Sequence, residues 1–234
     1  MSILIRRGTG RKATLEVRSG RELDDGIGMK GSRLSTWRTK DQREAAKHRW
    51  LETLAAEQSA WVFAYGSLMW NPGFEYKSVL PATIYGYHRR FCIFSHFYRG
   101  TPEAPGLVFG LDRGGSCRGR VFQIAPSQVS IVLGAIWDRE MIYRGYVPRK
   151  LFAQTDNRRL TCHTFVANPR HEQYAGRMDI ARTAGVIARA HGKAGSNADY
   201  LTYTLDHLEE LGLRDGNLTR LQATVRSLGD SRKC

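Results

Sequence analysis

The spacing of hydrophobic and polar residues changes twice along this chain and divides it into three parts. Residues 1–38 are rich in glycine and basic side chains and nearly free of aromatics, which is typical of a solvated, disordered tail. Residues 39–60 carry apolar side chains at helical spacing, with Trp50 and Leu51 near one face. Short apolar segments typical of strands follow, so the pattern predicts a tail, a helical lead-in and one folded unit over residues 61–228.

Within that unit, the predicted strands come mostly before the predicted helices. The strand-like segments are 61–64, 82–94, 106–111, 119–123, 146–155 and 159–168. The turn signals between them include "NPGF", "TPEAPG" and "DRGGS". The helical segments are 126–137, 178–192, 197–213 and 215–229, with Gly192, Gly212 and Gly229 at expected C-caps. This order predicts an α+β fold with an antiparallel sheet or a small barrel.

The first predicted strand contains an interruption that could carry chemistry. In "WVFAYGSLMW", residues 61–70, a Gly-Ser step breaks an otherwise apolar segment. A strand that ends in such a turn can leave several backbone N–H groups convergent, and such groups bind carboxylates or a developing oxyanion. The structural alternative is an ordinary tight turn with Tyr65 in the core.

A second candidate lies in "WDREMIYRGY", residues 137–146. Glu140 follows an apolar helical segment and stands among aromatic side chains. Burial among them would raise the pKa of its carboxyl group toward a value useful for proton transfer. The alternative is a glutamate that pairs with Arg139 or is solvated at a helix end.

Composition limits the kinds of partner, metal site and cellular compartment that the sequence allows. There are 36 basic and 22 acidic side chains, a net charge of +14, which suits either nucleic-acid binding or the steering of a small anion. Many of the basic residues lie within residues 1–50, and we interpret them as part of the solvated tail. The four cysteines are widely spaced, the histidines lack ligand spacing, and no apolar run is long enough for a membrane helix. The sequence therefore predicts a cytoplasmic protein with reduced thiols, no metal and no membrane partner.

Five segments in this order resemble the ChaC family of γ-glutamylcyclotransferases that act on glutathione. They are "VFAYGSLMWNPGF" (62–74), "YGYHRRFCIFSHFYRGTPEAPGLVFGL" (85–111), "WDREM" (137–141), "NPRHEQYAG" (168–176) and "SNADYLTYTLDHLEELGLRDGNL" (196–218). The resemblance covers roughly residues 61–221. In close relatives we expect a glycine four residues after the glutamate, whereas here Gly145 stands at five.

The resemblance implies a small mixed β-barrel flanked by helices, with no cofactor. Its Tyr-Gly-Ser loop would form the pocket for the γ-glutamyl group, and its catalytic glutamate matches Glu140, with a tyrosine that matches Tyr146. The implied substrate-binding residues are Val62, Phe63, Ala64, Tyr65, Gly66, Ser67, Leu68 and Tyr146. In the implied reaction, the α-amine of the substrate attacks its own γ-carbonyl, which releases 5-oxoproline and Cys-Gly. Arg89 and Arg90 are candidates for the glycyl carboxylate, or are structural.

Two alternatives stay open from the sequence. The first is cyclotransfer on other γ-glutamyl amines or amino acids, since the pocket beyond the γ-glutamyl group cannot be inferred from the sequence. The second is a regulatory protein that uses its basic tail to bind nucleic acid. Glu140 together with the Tyr-Gly-Ser loop favours the enzyme, so we expect glutathione rather than nucleic acid as the partner.

Overall fold

A computed structural model describes residues 39–54, 60–141 and 145–230 of the chain. The predicted tail, residues 1–38, and the last part of the predicted lead-in, residues 55–59, lie outside the described residues. The rest of the lead-in forms helix α1, Lys40–Glu52. Thr39 caps its first turn, because its hydroxyl accepts a hydrogen bond from the Gln42 backbone N–H while the Gln42 side chain accepts one from Thr39 N–H.

Five strands close into a barrel in the order β1-β3-β2-β4-β5. They are β1 Ala60–Ala64, β2 Ser78–Ser95, β3 Gly106–Ile124, β4 Tyr146–Gln154 and β5 Arg159–Ala167. Neighbouring strands pair antiparallel except β1 and β5, which close the barrel in parallel with Val62 opposite His163. The barrel is therefore mixed and flanked by helices, which confirms the predicted α+β fold. Two short strands, β6 His191–Gly192 and β7 Gly195–Ser196, form a separate pair.

One predicted turn is wrong. The segments 106–111 and 119–123 are parts of a single long strand, Gly106–Ile124, and "DRGGS" lies inside it rather than between two strands. Gly114 and Gly115 have φ values of +97° and +66°, and the register with β2 shifts at this point. The two glycines thus form a bulge that bends the strand without ending it.

The helices after the first strands lie close to the predicted positions. They are α2 Val129–Glu140, α3 Ile180–Ile187, α4 Asn197–Glu210 and α5 Gly216–Asp230, with 3₁₀ turns at Ser67–Met69 and Pro126–Gln128. Gly212 follows α4 with a φ of +67°, as predicted for a C-cap. The other two C-cap predictions are wrong, because Gly192 lies in β6 and Gly229 lies inside α5. None of the described helices has the length and hydropathy to cross a bilayer.

The hydrophobic core has two main parts. The first contains residues from all five strands and fills the barrel, with Phe63, Ile84 and Leu111 fully buried. The second joins the barrel to the helices, where Phe109 and Phe165 pack in one cluster with side chains of α2, α4 and α5. The end of β1 takes part in both clusters, so the chain that follows β1 emerges where barrel and helices meet.

Three of the four cysteines are buried within these layers. Cys92, Cys117 and Cys162 are free thiols, while Cys234 lies outside the described residues. Burial raises the pKa of Cys92 and Cys162 to about 12 and also raises the pKa of Cys117. All three therefore stay protonated at neutral pH.

A buried amide fastens the start of α4 to β3. Asn197 is fully buried, and its side chain donates to the Leu107 carbonyl at 2.8 Å and accepts from the Leu107 N–H at 2.6 Å. Both bonds are made away from water, where an unsatisfied polar group is costly. This clamp sets the position of the first turns of α4.

Asn197→Ala should therefore lower the free energy of unfolding by about 2 kcal/mol or more, because it leaves two buried backbone groups without partners. Urea denaturation of the wild type and the variant measures the change. Asn217→Ala, at an exposed position of α5, is the matched control and should stay within about 0.5 kcal/mol of the wild type. Equal stability of the two variants would show that the clamp contributes nothing.

Candidate active site

A cavity of about 70 Å³ lies beside the end of β1. It is lined by residues from β1 and the following loop, from β3, β4 and β5, and from α2 and α4. The lining residues are Val62, Phe63, Tyr65, Gly66, Ser67, Leu68, Phe109, Glu140, Tyr146, Thr164, Phe165 and Tyr200. The structure thus brings together Glu140 and all the predicted substrate-binding residues except Ala64, which is fully buried and does not line the cavity.

Residues 65–71, here called the Gly-Ser loop, form the first wall of the cavity. The loop is compact, since Met69 N–H donates to the Gly66 carbonyl and Asn71 N–H donates to the Ser67 carbonyl, both at 2.8 Å. A Cβ atom built on Gly66 would have no protein atom within 4 Å apart from those of its two chain neighbours. The main chain at Gly66 therefore faces open space that the protein itself does not fill.

Arg89 anchors the first residue of the Gly-Ser loop from outside the cavity lining. Its side chain is only 5% exposed, and its guanidinium donates to the carbonyl oxygens of Tyr65 and Arg118 while Asp215 lies 3.4 Å away. Arg90 likewise pairs with a carboxylate and with backbone carbonyls of the protein. Neither arginine lines the cavity. Of the two alternatives for these residues, the structure therefore favours the structural one.

Glu140 is the last residue of α2, and its side chain is 22% exposed to solvent. Burial raises the pKa of the Glu140 carboxyl group, and the positive charge of Arg139 opposes that shift. Tyr65, Tyr146 and Tyr200 surround the carboxylate, and burial together with the Glu140 charge raises the pKa of each phenol. The three phenols therefore stay neutral at neutral pH, and the carboxylate is the group of this cluster that can accept a proton.

The sequence did not identify four of the lining residues. Thr164 and Phe165 lie on β5, Phe109 on β3 and Tyr200 on α4. Hydrogen bonds tie two of them to the rest of the cavity, since Thr164 Oγ1 donates to the Phe63 carbonyl at 3.0 Å and the Tyr146 hydroxyl donates to the Phe109 carbonyl. Tyr200 and Phe109 lie in segments that carry the family resemblance, but no local pattern separates Phe109, Thr164 and Phe165 from ordinary core residues of a strand.

A family model described as ChaC-like protein matches residues 60–228. The chain belongs to the ChaC family. The match covers the whole barrel, helices α2 to α4 and all but the last two residues of α5, and therefore every residue that lines the cavity.

Relatives within the ChaC family share most of their length with this chain. The glutathione-specific γ-glutamylcyclotransferase of Escherichia coli K12 is 34% identical over 189 residues, which are 80% of this chain and 82% of the relative. The enzyme of the same name from Schizosaccharomyces pombe is 32% identical, over 75% of this chain and 97% of the relative. A crystal structure of a γ-glutamyl cyclotransferase specific to glutathione from yeast superposes with a TM-score of 0.66 at 25% identity, over 73% of this chain and 97% of that one.

Proposed function

We propose that this chain is a glutathione-specific γ-glutamylcyclotransferase, a lyase that converts glutathione to 5-oxoproline and Cys-Gly. The names of its relatives support this substrate. The observation that carries the proposal is the placement of Glu140 in one cavity with the Gly-Ser loop. A carboxylate with a raised pKa and an exposed stretch of main chain are the two elements that such a reaction needs.

The chemistry is an internal transfer. The α-amine of the γ-glutamyl group attacks the γ-carbonyl carbon, a C–N bond closes the five-membered ring, and the amide C–N bond to cysteine breaks. Attack from within one well-oriented molecule has an effective molarity on the order of 10⁵ M or more, so no enzyme nucleophile is required. The substrate amine must first lose a proton. Glu140 accepts this proton and gives it to the amide nitrogen of cysteine as the bond to Cys-Gly breaks. The ring nitrogen loses a second proton as the lactam forms, and the freed amine of Cys-Gly takes up one proton, so that Glu140 ends ionised again.

The Gly-Ser loop would bind the other end of the reacting group. Backbone N–H groups at Tyr65, Gly66 and Ser67 would hold the α-carboxylate or the γ-carbonyl oxygen as negative charge develops. The open space in front of Gly66 supports this role, because a ligand can approach the main chain there without displacing a protein atom.

This mechanism predicts a specific pH dependence. Because Glu140 must be ionised to accept the proton, kcat/KM for glutathione should rise with pH through a limb displaced above the usual range of a glutamate. Steady-state rates measured from acidic to neutral pH check the position of the limb. A limb at the pKa of an ordinary solvated carboxyl group would contradict the assignment.

Unfolding through Glu140 cannot produce this limb. A raised pKa means that the folded protein binds the proton more tightly than the unfolded chain does. The group therefore adds stability at low pH, and that contribution is lost as the pH rises through the folded pKa. Loss of activity on the acid side thus reports protonation of the base and not loss of the fold through this residue.

The substrate itself is tested with purified protein. Incubation with glutathione should release 5-oxoproline and Cys-Gly in equal amounts, detected by chromatography. γ-Glutamyl-alanine, added as a competing substrate, should be consumed much more slowly. Equal turnover of the two compounds would favour cyclotransfer on γ-glutamyl compounds in general, and no 5-oxoproline from either would refute the proposed function.

A further inference from the structure

Arg139 contacts both the Gly-Ser loop and Glu140, which lie on different sides of the cavity lining. It precedes Glu140 at the end of α2, and its side chain is about one-third exposed, at 34%. Its Nη2 donates to Ser67 Oγ at 2.7 Å, and its Nη1 donates to the Asn71 carbonyl at 3.0 Å. Its Nε lies 3.4 Å from Glu140 Oε1. One guanidinium therefore contacts the Gly-Ser loop at Ser67 and at Asn71, and also contacts the carboxylate.

We propose that Arg139 is the positioning residue of this site, which fixes the Gly-Ser loop relative to the Glu140 carboxylate. The inference rests on the proposed function, because it assigns the loop to the γ-glutamyl group and the carboxylate to proton transfer. The loop and Glu140 are at least 69 positions apart in the sequence, and they come from different layers of the fold. Arg139 is the described side chain that hydrogen-bonds to the loop while also contacting Glu140.

The planar shape of arginine suits this role. A guanidinium offers five N–H donors in a rigid fork, so that two of them can bind two separate points of one loop while a third faces the carboxylate. A lysine has a single ammonium centre and cannot span Ser67 Oγ and the Asn71 carbonyl in the same way. The geometry and the charge of Arg139 can therefore be separated by substitution.

The charge of Arg139 has its own effect on the carboxylate. Within the part of the chain that the structure describes, the titratable side chains that face Glu140 from neighbouring elements are three tyrosines: Tyr65 after β1, Tyr146 on β4 and Tyr200 on α4. All three phenols are neutral. Among the described residues, the cation that lowers the pKa of Glu140 is Arg139. Removal of this charge should therefore raise the pKa of Glu140 further.

Three variants and one control test the proposal. Arg139→Met removes both the fork and the charge, and Arg139→Lys removes the fork alone. Ser67→Ala removes one partner of the fork and keeps the charge. Arg226→Met replaces an exposed arginine of α5 that does not line the cavity, and it is the matched control.

Arg139→Met should lower the pH-independent plateau of kcat/KM for glutathione by about 10- to 100-fold, because the Gly-Ser loop is no longer held in position relative to the Glu140 carboxylate. It should also move the acid limb up by about one pH unit. Arg139→Lys should keep the low plateau but return the limb to near the wild-type pH. Ser67→Ala should lower the plateau without moving the limb, and Arg226→Met should change neither.

The titration of Glu140 gives a readout that does not depend on turnover. Carbon NMR of the carboxyl groups, with the Glu140 signal assigned by its loss in Glu140→Gln, should show a higher pKa in Arg139→Met than in the wild type. A wild-type plateau and limb in Arg139→Met would overturn the proposal. The proposal would also be overturned if Arg139→Met lost activity only in proportion to the fraction of the protein that is unfolded, with the acid limb and the pKa of the Glu140 carboxyl signal unchanged. Failure of the proposed function differs from both, because the wild type itself would then release no 5-oxoproline.

Discussion

Glu140→Gln should reduce the release of 5-oxoproline from glutathione by about 10² to 10⁴-fold, which corresponds to roughly 3 to 5 kcal/mol of activation free energy. Glutamine has nearly the same shape as glutamate and can still form hydrogen bonds, but it cannot take a proton from the substrate ammonium. Binding should survive, because the Gly-Ser loop and the other walls of the cavity are unchanged. Rates measured at saturating glutathione, together with calorimetric titration of the substrate, separate the two effects.

The stability of this variant provides an internal control. Since burial raises the pKa of Glu140, its ionised form costs free energy in the folded protein at neutral pH. A neutral glutamine removes that cost, so the free energy of unfolding should not fall. Glu209→Gln, at an exposed position near the end of α4, makes the same chemical change and should keep full activity. Retention of more than a tenth of the wild-type rate in Glu140→Gln would rule out its role as the base.

Gly66→Val should lower kcat/KM for glutathione by about 10²-fold. The substitution places a branched side chain in the space that the protein leaves open in front of the Gly-Ser loop. Because no protein atom beyond its two chain neighbours lies within 4 Å of the added Cβ, the new side chain has room without displacing the rest of the protein. The loss should therefore come from exclusion of the substrate, and Gly66→Ala should show a smaller loss than Gly66→Val.

Thermal unfolding separates this effect from damage to the fold. Gly66→Val should remain within about 0.5 kcal/mol of the wild type in its free energy of unfolding. Gly229→Val, at an exposed position of α5 away from the cavity lining, is the matched control for activity. If Gly66→Val binds and converts glutathione normally, then the open space at Gly66 is not where the substrate lies.

The sequence correctly predicted those elements that depend on neighbouring residues alone, such as a helix with apolar side chains at helical spacing or a turn at a glycine. The helical spacing over residues 126–137 corresponds to α2, and the Gly-Ser step after β1 does form a turn at a cavity. The same kind of signal was wrong at Gly114 and Gly115, where glycines allow positive φ in a bulge as readily as in a turn. A glycine pair shows that the backbone needs freedom, but it does not show whether the strand ends there.

Residues brought together by barrel closure could not be predicted in this way. Thr164 and Phe165 reach the cavity because β5 closes the barrel beside β1, about 100 positions earlier in the chain. The role of Arg139 has the same origin, since its partners Ser67 and Asn71 are distant in sequence. Glu140 and Tyr65 were placed together by the family resemblance and not by their spacing. Long-range pairing supplies the rest of the site.

The burial of the cysteines matters for an enzyme whose proposed substrate is itself a redox-active thiol. Disulfide exchange requires a thiolate, and the buried Cys92, Cys117 and Cys162 are held as thiols. Oxidised glutathione, which accumulates under oxidative stress, therefore finds no reactive sulfur among them to form a mixed disulfide. These three thiols are therefore protected from changes in the oxidation state of the proposed substrate.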